Sequence, residues 1–234
     1  MRDLLSEFPL ESFPDIAARL ADVATAKAAL AEVNGLAFWE DGEIIAQRER
    51  IREDNSDFLD HILFVAVDSG GILYGLWIRG RMSGMWTLLD HHEIDISPAW
   101  RNTADFISAV KLGGWSPRPT LPDVEQAASA DELASWASAR EAYFKNFELE
   151  YANDAEGMFT MFWGYTVIAL TPVAEAASLM RFLTIDNQWV AERAANTLGD
   201  FGYKPAIAAL QELASKGGNG ALAAKGALKK LGEA

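Results

Sequence analysis

Two glycines and three prolines fall within ten residues at Gly113-Gly114-Trp115-Ser116-Pro117-Arg118-Pro119-Thr120-Leu121-Pro122. Proline fixes φ and removes a backbone donor, so neither a helix nor a central strand continues through such a segment. The texture of the chain changes across it. Before the break, helical and alternating patterns are mixed; after it, almost everything is Ala/Leu-rich with helical spacing. The expected organisation is an α+β domain over residues 1–114, a Pro-rich linker over 115–125 and an all-α region over 126–234. At 234 residues the chain is long enough for two such cores.

In the first part, Ile16, Leu20, Val23, Lys27, Leu30 and Val33 recur at three and four residues and stop at Asn34-Gly35. That spacing predicts an amphipathic helix closed by a turn. The apolar run Ile62–Val67, the turn Asp68-Ser69-Gly70-Gly71 and the run Ile72–Ile78 predict a β-hairpin. Met85–Leu89 adds a third strand after Gly80-Arg81-Met82-Ser83-Gly84. Thr103 is placed to cap a short helix with Phe106, Ile107 and Val110 on one face. Gln47–Asp54 carries Arg50/Asp54 and Glu49/Arg52 at ion-pair spacing, as a solvated helix would. Helix, antiparallel meander, helix makes an α+β domain.

In the second part, Ser129-Ala130-Asp131-Glu132 is a capping box. Leu133, Trp136, Arg140, Phe144, Phe147 and Tyr151 then follow with helical spacing. Gly157–Ala174 runs 18 residues without a charge. Its dense part, Met158–Leu170, would reach only about 20 Å as a helix, short of a bilayer core, so a buried helix is expected. Farther on, a 33-residue offset relates Leu198-Gly199 to Leu231-Gly232, Ala191 to Ala224, Ala194 to Ala227 and Pro172 to Pro205. Helix pairs repeated at such a length stack on one another.

Composition excludes several chemistries. Cysteine is absent, which removes disulfides, thiol nucleophiles and Cys-based zinc sites. No GxSxG occurs, and the glycine-rich Asp68-Ser69-Gly70-Gly71 and Lys216-Gly217-Gly218-Asn219-Gly220 read as a hairpin turn and a helix–helix turn. The 34 acids outnumber the 20 bases, a net charge of −14 that disfavours direct nucleic-acid contact and suits a basic partner. From Asp123 to Glu156 there are nine acids and two bases. The opening Met1-Arg2-Asp3-Leu4-Leu5-Ser6-Glu7 lacks a basic n-region and apolar h-region, so a cytoplasmic location is expected. Asp90-His91-His92-Glu93-x-Asp95 concentrates the ligand types a metal needs, but adjacent histidines in extended chain point to opposite faces. Neither a metal nor another cofactor is expected. The candidate partner-binding residues are Asp90, Glu93 and Asp95, expected in a polar surface turn after a strand, together with Glu40 and Asp41 beside Trp39, a local hot-spot pattern.

Residues 10–112 resemble the SUKH superfamily, whose domains are abundant among bacterial immunity proteins. The matching pieces are Phe13-Pro14-Asp15-Ile16, Asn34-Gly35, the Gly70-Gly71 hairpin, Trp86 through Leu89-Asp90-His91-His92-Glu93, and Ile96-Ser97 followed by Thr103-Ala104-Asp105-Phe106-Ile107. Residues from about 156 to 234 resemble HEAT-like repeats of the bilin-lyase type. The likeness lies in Trp189–Gly199 and Pro205-Ala206-Ile207-Ala208-Ala209-Leu210. These resemblances imply a SUKH-like antiparallel sheet with flanking helices, followed by a helical docking module. They imply a non-enzymatic immunity protein that occludes a cognate, basic polymorphic toxin, a nuclease being one such class. A regulatory or scaffold protein docking an endogenous partner through its helical repeats is the alternative. A hydrolase built on the Asp90–Asp95 cluster is the remaining enzymatic reading.

Overall fold

Continuous apolar character over Ile62–Val67 requires a strand covered on both faces, and in the computed structural model that run is the interior of the sheet. The structure describes Leu4, Phe8 and residues 13–54, 61–90, 95–112 and 130–233. The chain separates into two compact units, Met1–Pro119 and Thr120–Ala234, divided within the Gly/Pro-rich segment. The residues of the expected linker, 115–125, and Ser129 of the expected capping box lie outside the described residues.

Unit 1 runs α1 (Ile16–Leu30), β1 (Leu36–Phe38), α2 (Asp41–Asp54), β2 (Ile62–Asp68), β3 (Leu73–Trp77), β4 (Trp86–Leu89) and α3 (Thr103–Lys111). The four strands form an antiparallel meander in the order β1-β2-β3-β4. The hairpin, the third strand and both amphipathic helices stand where the apolar patterns place them. The strand β1 is an addition: its three residues carry no alternation long enough to read. Register pins β3 against β2, with Ile62 opposite Trp77 and Leu63 opposite Leu76. Gly75 is needed there, since a Cβ would sit 2.7 Å from Ile62 Cγ2 and 2.9 Å from Phe64 Cδ1.

An aromatic group centres this core. Trp86 stacks on Phe106 with ring centroids 4.1 Å apart, and Trp100 meets Phe106 edge-on at 5.2 Å. Buried indole N–H groups need a partner, and Trp86 Nε1 donates to Thr103 Oγ1 at 3.1 Å. The Thr103 hydroxyl is therefore occupied, which corrects its expected role. Asn102 caps α3 instead, its side chain accepting from the Asp105 N–H at 2.9 Å.

Unit 2 runs α4 (Ala130–Asn153), α5 (Met158–Ala169), a 3-10 run (Val173–Thr184) bent at Glu175, then α6 (Gln188–Asp200), a short 3-10 turn (Lys204–Ala206), α7 (Ile207–Lys216) and α8 (Gly218–Lys230). The uncharged segment becomes α5, buried on most sides. No described helix is long and apolar enough to cross a membrane. Trp136, Tyr143 and Phe147 of α4 are buried, and Tyr143 stacks on Trp163 at 5.1 Å. Arg140 is drawn inward to donate to the Leu170 carbonyl at 3.0 Å and to pair with Glu175.

The 33-residue offset is corrected by the helix boundaries. Gln188–Asp200 and Gly218–Lys230 begin and end 30 residues apart. Each is closed by a positive-φ glycine at the same offset, Gly202 and Gly232. The three residues of difference are close to one helical turn, so both offsets keep the same face inward and both match buried alanines. The two Leu-Gly pairs are consequently unlike. Gly232 ends its helix, whereas Gly199 lies inside α6, where a Cβ would stand 2.8 Å from the Ala227 Cα. It sets the close contact of α6 with α8.

Candidate functional site

The acidic corner after β1 is built from the backbone outward. The Trp39 N–H donates to the Val65 carbonyl at 2.9 Å, extending β1 along β2. The Glu40 carbonyl then accepts from the N–H groups of Glu43 at 2.9 Å and Ile44 at 3.0 Å, which starts α2. Glu43 Oε2 reaches back to accept from the Glu40 N–H at 2.8 Å. This reciprocal arrangement satisfies a donor that the helix start leaves open. Acids in a first turn also oppose the positive end of the helix.

The side chains project from that frame. Asp41 and Glu43 are exposed. Glu40, 78% exposed, is steered by Lys27 Nζ at 2.7 Å from its Oε1. Trp39 is half-buried and packs against the unit 1 core. The corner thus presents three carboxylates beside an aromatic ring, with Glu40 and Glu43 held in place. The sequence marks Lys27 only as a position of the helical stripe and does not mark Glu43 at all. The pattern of a carboxylate three residues after Glu40 was available, but the helix was read only from Gln47 onward.

The other candidates do not join this corner. β1 and β4 are opposite edges of the sheet, about 14 Å apart by strand spacing alone. Glu40 and Asp41 follow the C-terminal end of β1, while Asp90 follows the end of β4 that pairs with the start of β3, at the other end of the sheet. Half-buried Asp90 belongs to a different group. Asp68 Oδ1 accepts from the Gly70 and Ile72 N–H groups at 2.8 and 2.9 Å, and the Tyr74 hydroxyl donates to its Oδ2 at 3.2 Å. Burial first, then the Asp68 and Asp90 carboxylates, hold the Tyr74 phenol well above the ordinary tyrosine range.

Asp95 is not at the surface. It is 1% exposed, and its Oδ1 accepts from the Ser97 N–H at 2.9 Å and the Ser97 hydroxyl at 2.6 Å. The expected surface turn is corrected at this residue, whose carboxylate organises the chain entering Ile96-Ser97. His91, His92 and Glu93 lie outside the described residues. Among the described residues, no three His, Asp or Glu side chains converge as metal ligands would. The chain matches no family model, no curated protein and no solved structure.

Proposed function

We propose that this chain is a non-enzymatic binding protein that occludes a basic partner through the corner formed by Trp39, Glu40, Asp41 and Glu43. The observation that carries the reading is the exposure of these carboxylates on a hydrogen-bonded frame. Groups already ordered lose little freedom on binding. Carboxylates on a chain of net charge −14 also steer a cationic surface into contact. A half-buried tryptophan supplies apolar contact area beside them. The SUKH resemblance of unit 1 makes a polymorphic toxin the partner class, with neutralisation by occlusion. The HEAT-like resemblance of unit 2 gives it the part of a docking module.

The test is co-purification with the product of the gene beside its own, and rescue of cells from that product. Asp41→Lys with Glu43→Lys should keep the fold at a cost of about 1 kcal/mol, the loss of the Glu43 tie to the Glu40 N–H at the helix start. Association should slow by about tenfold or more and lose part of its salt dependence. A doubly reversed variant that protects as well as the parent would remove this corner from the interface. A neighbouring product that neither binds nor harms cells would remove the immunity reading itself.

A further inference from the structure

The outward stripe of α8 has a composition that its own unit does not account for. Leu222, Lys225, Gly226 and Lys229 lie three and four residues apart, so they share one helical face, and all four are exposed. Leu222 is 68% exposed. The neighbouring Lys230 is tied to Asp200 at 2.5 Å, and Lys216 to Glu212 at 3.3 Å. Among the described residues, Lys225 and Lys229 are in no ion pair. Glycine inside a helix is less favourable than alanine, so each one calls for a reason. Gly218 has φ +78, and a Cβ on Gly220 would meet Leu213 Cδ1 at 3.4 Å and the Gln188 carbonyl at 3.5 Å. Gly226 has neither reason: a Cβ there would meet nothing within 4 Å.

A stripe with more acid than base runs along α4. Glu141, Lys145, Glu148, Leu149 and Ala152 also repeat at three and four residues and are exposed. Leu149 is 63% exposed, and the Glu141–Lys145 pair is loose at 3.8 Å. The two stripes match in length, about 10 Å from Leu222 to Lys229 and about 12 Å from Glu141 to Leu149. Each carries one exposed leucine, and the two lysines of the α8 stripe are set against two carboxylates and one lysine on α4.

We propose that the α8 stripe docks a second copy of this chain through that copy's α4. Lys225 and Lys229 face Glu141 and Glu148, the two leucines meet, and Gly226, about 6 Å along from Leu222, leaves room for Lys145, which lies as far along from Leu149. The contact joins two different faces and is therefore heterologous. It is independent of the acidic corner on unit 1.

Analytical ultracentrifugation of the full chain tests this. Self-association that weakens with added salt is expected. Lys225→Glu with Lys229→Glu should weaken it by about tenfold or more, as should Glu141→Lys with Glu148→Lys. The four changes combined should restore it. Gly226→Gln should raise the thermal midpoint, because glutamine is the better helix former, while weakening association. A residue with only a role inside the chain would not separate those two readouts. A chain that stays monomeric at every concentration, or charge reversals without effect, would overturn the proposal. Reversals that each abolish association but fail to restore it together would overturn α4 as the partner. Should a charge variant fail to fold, Gly226→Gln decides alone.

Discussion

The two units solve the same problem, holding helices against an apolar interior, with different materials. Unit 1 gathers Tyr74, Trp86, Trp100 and Phe106 around one point and ties their surroundings with buried or half-buried polar groups: Thr103 under Trp86, Asp68 under Tyr74, Asp95 under Ser97. Unit 2 brings α6 and α8 together over alanines and Gly199; Asn187 and Arg140 reach distant carbonyls, while the buried Thr160, Thr171 and Thr197 hydroxyls donate only to carbonyls four to six residues back. A core of the first kind is sensitive to what its polar groups are bonded to. A core of the second kind is sensitive to volume, because helices that close leave no room for an added carbon. The units should therefore fail by different substitutions.

The largest expected effect is Asp95→Lys in unit 1. It removes the acceptor for the Ser97 N–H and hydroxyl and buries an ammonium in its place, at a cost of about 4 kcal/mol or more. Asp95→Asn keeps an acceptor oxygen and should cost much less. Urea midpoints of the two variants measure the difference. Equal small losses would return Asp95 to the surface and make it a binding candidate again.

Leu198→Ala in unit 2 comes next. Leu198 is fully buried at the α6–α8 contact, and truncation of such a leucine costs about 2–5 kcal/mol. Leu231→Ala should cost less, since Leu231 is the C-cap of α8, just past its last helical residue, where helix ends fray. Equal, negligible losses at both sites would show that the repeated faces do not share a core.

These two sites also show what could be read in advance. The buried face of α6 was legible because 3.6-residue periodicity survives an error of one turn in the repeat offset. The offset itself was not legible, because alanine-rich helices match one another equally well at 30 and 33 residues. In unit 1, β2, β3 and β4 announced themselves through long apolar runs, whereas β1 has only three residues and takes its structure from β2. The acidic candidates fared least well. Proximity in sequence suggested that Asp90 and Asp95 belong together, but Asp95 is buried while Asp90 is half out. Glu40 and Asp41 were visible as charges beside Trp39, while the ties of Glu40 to Glu43 and Lys27 came from folding.

Gly199→Ala sharpens the comparison further. The added methyl would meet the Ala227 Cα at 2.8 Å and its Cβ at 2.9 Å, both belonging to a packed helix rather than to a flexible side-chain tip. Overpacking of this kind costs about 1–3 kcal/mol, even though alanine is the better helix former. A stabilised variant would mean that α6 and α8 separate freely, and that volume does not limit unit 2.

The smallest effect at neutral pH belongs to Tyr74→Phe, which deletes the hydroxyl donating to Asp68 and should cost about 1 kcal/mol. Its pH dependence is the informative part. In the folded chain, burial and the neighbouring carboxylates raise the Tyr74 phenol above its ordinary value, so the unfolded chain releases this proton first as pH rises. The contribution is therefore whole below about pH 10, where a free phenol titrates. It is lost progressively as pH climbs from there toward the folded value. The phenylalanine variant has no such proton to lose, so its urea midpoint should approach that of the parent between about pH 8 and about pH 11. Parallel curves over that range would mean that Tyr74 titrates alike in both states and that its tie to Asp68 is not what holds β3 against the turn. Unit 2's comparable anchor, Asn187, which accepts from Trp189 and Val190 and donates to the Ala155 carbonyl, has no titrating group. Its removal should therefore shift the midpoint by the same amount at both pH values.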